Sequence, residues 1–165
     1  MNTIPIPDLA YELRMLLGAA KQCQLFEEFD IGNPINYMKD SVYAHTRNLY
    51  NFFSANARND AKVTQFTQHA FDLTFYRTWK SALHDHALHV KTSRHTPSNI
   101  VGGQHLNEQI QNFANDIEGL WEEWSNNTSD LQLKTELEEA LNDARTQAND
   151  DYLSLKERLV NRDED

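Results

Sequence analysis

The sequence predicts an all-α fold, an antiparallel bundle of about five helices that ends in a long C-terminal helix. Three observations point there. Glycine and proline are scarce, five and four in 165 residues, too few for the many tight turns of a small all-β domain. Apolar residues recur at spacings of three and four along most of the chain, the helical period. Turn-forming residues gather at a few well-separated places, which divides the chain into long segments. A chain of 165 residues buries a real core as a single domain spanning 1–165.

The elements follow in order. Ile4 to Pro7 is an extended lead-in, and Asp8 suits a first helical turn. Leu9, Leu13, Leu16, Leu17, Ala20 and Cys23 then give a helix to about Glu28. Asp30-Ile31-Gly32-Asn33-Pro34 breaks it. A second helix is expected from about Asn36 to Asn56, with Met38, Val42, His45, Leu49 and Phe52 as its core stripe. Tyr43, Arg47 and Tyr50 fall on an adjacent face. Arg58 to Ala61 reads as a loop, and Val63 to Asp72 as a short helix despite its β-branched residues. Phe75 to Arg94 carries the stripe Tyr76, Trp79, Leu83, Ala87 and Val90. His95 to Asn99 and Gly102-Gly103 make the next break. Leu106, Ile110, Phe113, Ile117, Leu120, Trp121 and Trp124 form the cleanest buried face in the chain. Ser129 and Gln132 then have the spacing of a capping box. The last helix, 129–162, is acidic, with a stripe from Leu133 through Leu137, Leu141 and Tyr152 to Leu159. At about 30 residues it spans roughly 45 Å, against roughly 30 Å for the first helix. Such an overhang predicts a dimerisation element and a homodimer.

Composition narrows function. No apolar run reaches the length of a membrane span, and no basic region followed by an apolar core marks a leader, so a cytoplasmic protein is expected. The single Cys23 excludes an internal disulfide framework and suits a small buried hydrophobe. The formal charge is −10, yet it is unevenly spread. Ala44 to His95 holds seven Lys and Arg against three Asp, a net +4, together with six His. From Asp130 onward eleven acids face five bases, a net −6. A basic, His-rich middle between acidic ends suggests RNA or another anionic ligand for the middle.

The candidate residues lie there. His45 falls on the apolar stripe, where a hydrogen-bonded core histidine and an anion ligand both fit. Arg47, set between Tyr43 and Tyr50, can stack its guanidinium and still present its fork to an anion. Arg77 and His84 stand seven apart on one helix face. Such a pair suits metal-free RNA cleavage, the histidine moving a proton and the arginine stabilising charge on the phosphate. The run His84-Asp85-His86-Ala87-Leu88-His89 offers metal-ligand spacings, but no second cluster with firm ligand spacing completes it. We expect neither a metal nor a cofactor. No Gly-rich phosphate loop or Ser/His/Asp order is visible.

The segment His45-Thr46-Arg47-Asn48-Leu49-Tyr50-Asn51-Phe52-Phe53, with Ala87-Leu88-His89 through Arg94 further on, resembles a pattern of helical proteins in which a His-x-Arg-x-Leu-x-x-Phe helix precedes one carrying Ala-x-His and a later Arg. The layout of about residues 36–125 also resembles HEPN domains, four- or five-helix dimers found in RNases of toxin–antitoxin and phage-defence systems. Their hallmark is an Arg, a polar residue, and a His after four to six intervening residues. Arg77-Thr78 through His84 meets the spacing, with Thr78 where the family has Asn, Asp or His. The resemblance implies a metal-independent RNase or RNA-binding protein, with Arg77 and His84 catalytic and His45, Arg47, His89 and Arg94 on the RNA. A second expectation stands beside it. A non-enzymatic regulatory protein would act through homo-oligomerisation and its acidic C-terminal helix, on a protein partner.

Overall fold

A computed structural model describes residues 6–54, 61–88 and 100–162. They form α1 (Ile6–Glu28), α2 (Gly32–Phe53), α3 (Thr74–Leu88), a two-stranded antiparallel hairpin of β1 (Ile100–Val101) and β2 (Gln104–His105), α4 (Ile110–Asn126) and α5 (Leu131–Arg162). The all-α bundle with its long last helix is therefore present, with one small hairpin added. α1 and α2 run antiparallel, and so do α4 and α5. Glu12 of α1 meets His45 of α2 while Glu27 meets Lys39. Trp121 of α4 meets Leu137 of α5 while Glu118 meets Arg145. The two pairs join so that α1 and α5 point the same way, since Arg14 lies opposite Asp143 and Glu28 opposite Lys156. In the same way α2 lies along α4 and the 3₁₀ turn Leu106–Gln109 that precedes it, with Tyr43 on Asn107 and Tyr50 on Asp116. α3 crosses these two, bringing Tyr76 to Tyr50 and Phe75 and Trp79 to Phe113.

Each helix boundary has a chemical cause. α1 ends in a Schellman motif: the Ile31 N–H donates to the Phe26 carbonyl at 2.8 Å and the Asp30 N–H to that of Glu27 at 3.3 Å. The left-handed position is Asp30, at φ 52°, where glycine is the usual occupant. Gly32 and Pro34, expected to break the chain, lie instead in the first turn of α2. Proline is tolerated there because first-turn N–H groups have no intrahelical acceptor. Asp30→Gly is expected to raise unfolding free energy by about 0.5–1 kcal/mol by removing the Cβ cost of that φ, measurable by urea denaturation. α5 starts on Asp130, not Ser129. The Asp130 carboxylate accepts from the Gln132 and Leu133 N–H groups at 3.0 and 3.1 Å. Asp130→Ala should cost about 1 kcal/mol, while Ser129→Ala should cost little.

The segment expected as a helix over 63–72 holds only a 3₁₀ turn, Val63–Gln65. Tertiary packing outweighs its helix-compatible Gln and Ala. Phe66 stacks toward Phe52 and Phe71 meets Phe53 edge-on, so the segment serves as an extended cover over the aromatic end of α2. Asp72 then starts α3, its carboxylate accepting from the Thr74 N–H and hydroxyl at 2.9 and 2.6 Å. In the hairpin, Gly102 and Gly103 take φ 57° and 83°, the two positive angles of a two-residue turn that side chains resist.

One core runs through the described bundle. Leu13, Leu16 and Leu25 of α1, Val42 and Leu49 of α2, Trp79 of α3, Phe113, Ile117, Trp121 and Trp124 of α4, and Leu137 of α5 are all buried. Both tryptophans are thus core residues, as their spacing predicts, and Trp121 donates its indole N–H to the Leu137 carbonyl at 2.8 Å. Cys23 is buried too, and burial pushes its thiol up to about 12. No helix among the described residues is long and apolar enough to cross a membrane.

Candidate functional site

The middle of the chain gathers its chemistry where α2, α3 and α4 meet. Tyr50 points inward and donates its hydroxyl to the Asp116 carboxylate at 2.6 Å. Its ring stacks on Tyr76 at 4.4 Å between centroids, 21° from parallel. Helical spacing explains the convergence: Tyr50 lies one turn from Thr46 and Phe53 on the buried side of α2, and Tyr76 one turn before Trp79 on the buried side of α3. Burial and the neighbouring Asp116 carboxylate push the Tyr50 phenol far up. Burial also raises Asp116, the Tyr50 hydrogen bond pulls it back down, and the Asp72 charge raises it further.

Three cations lie on the neighbouring parts of α2 and α3. Arg47, half-buried on α2, acts on Tyr76: burial raises that phenol, while the Arg47 charge and a hydrogen bond with Ser54 oppose the rise. The Lys80 ammonium lies 5.8 Å from the Tyr76 ring centroid, within cation–π range. Arg77, exposed on α3, contributes with both Thr74 hydrogen bonds to hold the Asp72 carboxyl below its ordinary range. Arg47 and Lys80 thus lie by Tyr76 and Arg77 by Asp72, giving the α2–α3 face a positive rim. The rim can hold phosphate or carboxylate by charge, and the arginines can add paired hydrogen bonds.

The other described candidates are His84 and His45. His84 is exposed on α3, two turns beyond Arg77 and so roughly 10 Å along the helix axis. His45 faces away from the rim, toward α1. Its Nδ1 is 2.7 Å from Glu12 Oε2, a carboxylate that also accepts from Asn48 Nδ2 at 3.0 Å. The Tyr11 ring stands edge-on to its imidazole at 6.0 Å, and only 15% of the His45 side chain is exposed. Of the two uses open to His45, the hydrogen-bonded structural one is occupied. Tyr43 and Tyr50, the expected flanks of Arg47, turn inward. Both rings are fully buried, and Tyr43 donates its hydroxyl to Asn107 at 2.7 Å. His89 and Arg94 lie outside the described residues, as do the side chain of His86 and the far end of the expected 75–94 helix. Among the described residues no group of three or more His, Cys, Asp or Glu is placed to hold a metal ion.

Glu12, Lys80 and Asp116 escaped the sequence reading. Lys80 had a usable signal, since it stands four after Tyr76 and three after Arg77 and so shares their helix face. Asp116 had none, because its partner is 66 residues away. Comparison of the chain with protein-family models, with curated proteins and with solved structures returns no match.

Proposed function

We propose that the protein is a HEPN-like helical module that binds RNA through its α2–α3 face, with Arg47, Arg77 and Lys80 on the phosphates. The observation that carries this is the placement of Arg47 and Lys80 by Tyr76 and of Arg77 by Asp72 at the start of the same helix, all drawn from the basic segment of an otherwise acidic chain. Phosphate contacts of this kind are sequence-neutral and supply most of the non-specific affinity for nucleic acid. Binding is favoured over cleavage, because Thr78 stands where the family has Asn, Asp or His and His45 is engaged by Glu12. Cleavage needs proton donor and charge stabiliser at one phosphate. The test is incubation of metal-free protein with labelled mixed RNA beside an Arg77→Ala/His84→Ala variant. Retention of RNA without cleavage is the expected result. Cleavage lost in the variant would make the protein a metal-independent RNase, and neither cleavage nor retention would refute the proposal.

One observation favours a second reading, a non-enzymatic protein acting through homo-oligomerisation. α5 buries Leu133, Leu137, Leu141, Ala144 and Ala148 within the chain. Past them Leu153 and Val160 are 54% and 43% exposed. Light scattering of a chain ended after Asn149 discriminates: a smaller oligomer supports this reading, and an unchanged one counts against it.

A further inference from the structure

We infer that the cleft between α1, α4 and α5 binds a small phosphorylated sugar, at a site separate from the α2–α3 face. The three helices close on one another at Ala20, Ala114 and Ala148, all buried. Their lack of side-chain bulk leaves a cleft of about 450 Å³, within the range of small-molecule sites. Four carboxamides surround it: Gln24 from α1, Gln111 and Asn115 from α4, and Asn149 from α5. Each offers two N–H donors and a carbonyl acceptor in one plane, which matches neighbouring hydroxyls that both give and take hydrogen bonds. Gln111 is anchored, donating its amide to the Ala20 carbonyl at 2.7 Å. A second cleft, between α1 and α5, is a charged seam instead, lined by Arg14 together with Glu136, Glu139 and Asp143. The amide-rich lining is therefore local to this end.

Charge selects the anion. Arg145, also in the lining, is committed to two carboxylates, with Nε 2.6 Å from Glu118 and one terminal nitrogen 2.7 Å from Glu122. Lys21 has no carboxylate partner among the described residues. Its ammonium lies 5.6 Å from the Tyr152 ring centroid, a contact that positions the charge without neutralising it. One uncompensated ammonium beside four amides fits a ligand with several hydroxyls and one phosphate, which lysine binds as a point charge.

The test is titration of the full chain with ribose 5-phosphate, ribose and inorganic phosphate, followed by backbone and side-chain amide NMR. Ribose 5-phosphate should saturate at an affinity at least about tenfold above that of either fragment, moving the Gln111 and Asn115 amides. Lys21→Met should reduce it to the level of ribose, and Asn115→Leu should weaken it at least about fivefold. Both positions are solvent-accessible, so neither change threatens the fold. Arg77→Ala, on the other face, should bind it unchanged. The absence of saturable binding, or binding indifferent to Lys21→Met, would overturn the inference. So would shifts centred on Arg47 and Arg77, which would assign the sugar phosphate to the basic face instead.

Discussion

Phe113→Ala is expected to lower the unfolding free energy by about 3–5 kcal/mol, the cost of truncating a buried aromatic that leaves a cavity. Phe113 is fully buried on α4 and is the ring on which three elements meet. Tyr43 of α2 stands edge-on to it at 6.5 Å, Trp79 of α3 at 6.3 Å, and Phe75 of α3 lies tilted at 5.4 Å. Such pairs add about 0.5–1.5 kcal/mol each beyond burial, so the loss falls in the upper part of the range. The functional consequence follows from position. α3 holds Arg77 and Lys80, and Phe75 and Trp79 attach α3 to α4. Loosening that attachment should weaken the cationic face before the whole chain unfolds. Urea denaturation checks the energy: a loss below about 1 kcal/mol with an unchanged slope would show that Phe113 is not the keystone of this junction.

Tyr50→Phe is the second large effect, at about 1–3 kcal/mol, because it leaves the half-buried Asp116 carboxylate without its phenol donor. Asp116→Ala should cost a similar amount by orphaning the buried Tyr50 hydroxyl. Asp116→Asn keeps an acceptor and removes a partly desolvated charge, so it should be close to neutral near pH 7. The pH dependence has a definite sign. Burial first, and Asp72 after it, hold the folded Asp116 carboxyl above its ordinary range, against the pull of Tyr50. The folded state therefore binds this proton more tightly than the unfolded one. The associated stability is full below the ordinary carboxylate range and is lost as pH rises through the raised value. Wild type should thus lose stability relative to Asp116→Asn as pH increases from the acid side. Paired urea titrations at acidic and neutral pH test this, and an opposite or absent trend would contradict the role given to burial.

The helices and their buried faces were legible because they rest on local periodicity. Leu137, Trp79, Phe113 and the two tryptophans of α4 are buried where a 3.6-residue repeat puts them. What periodicity cannot supply is the partner across the fold. Tyr43 and Tyr50 read as neighbours of Arg47 on a face beside the core stripe, and Asn107 and Asp116 satisfy their hydroxyls and so permit full burial. His45 became a structural residue through Glu12, which lies 33 residues earlier. The segment 63–72 lost its expected helix to aromatic contacts with Phe52 and Phe53, a tertiary effect that outweighs propensity. Pro34 is ambiguous in sequence, because a proline breaks a helix interior and starts a helix equally well. The decisive signal was Asp30, whose left-handed backbone is a conformation that aspartate adopts more readily than most residues.

The direct test of the central claim is the salt dependence of affinity for a short single-stranded RNA. It is measured for wild type and for Arg47→Ala/Arg77→Ala, starting at low ionic strength because the chain as a whole carries −10. If both arginines neutralise phosphates on the α2–α3 face, the double variant should bind more weakly, and its plot of log affinity against log salt should be shallower by about 1.4, or 0.7 per lost single-strand contact. No binding by wild type at low salt, or an unchanged slope in the variant, would contradict a nucleic-acid face built on Arg47 and Arg77.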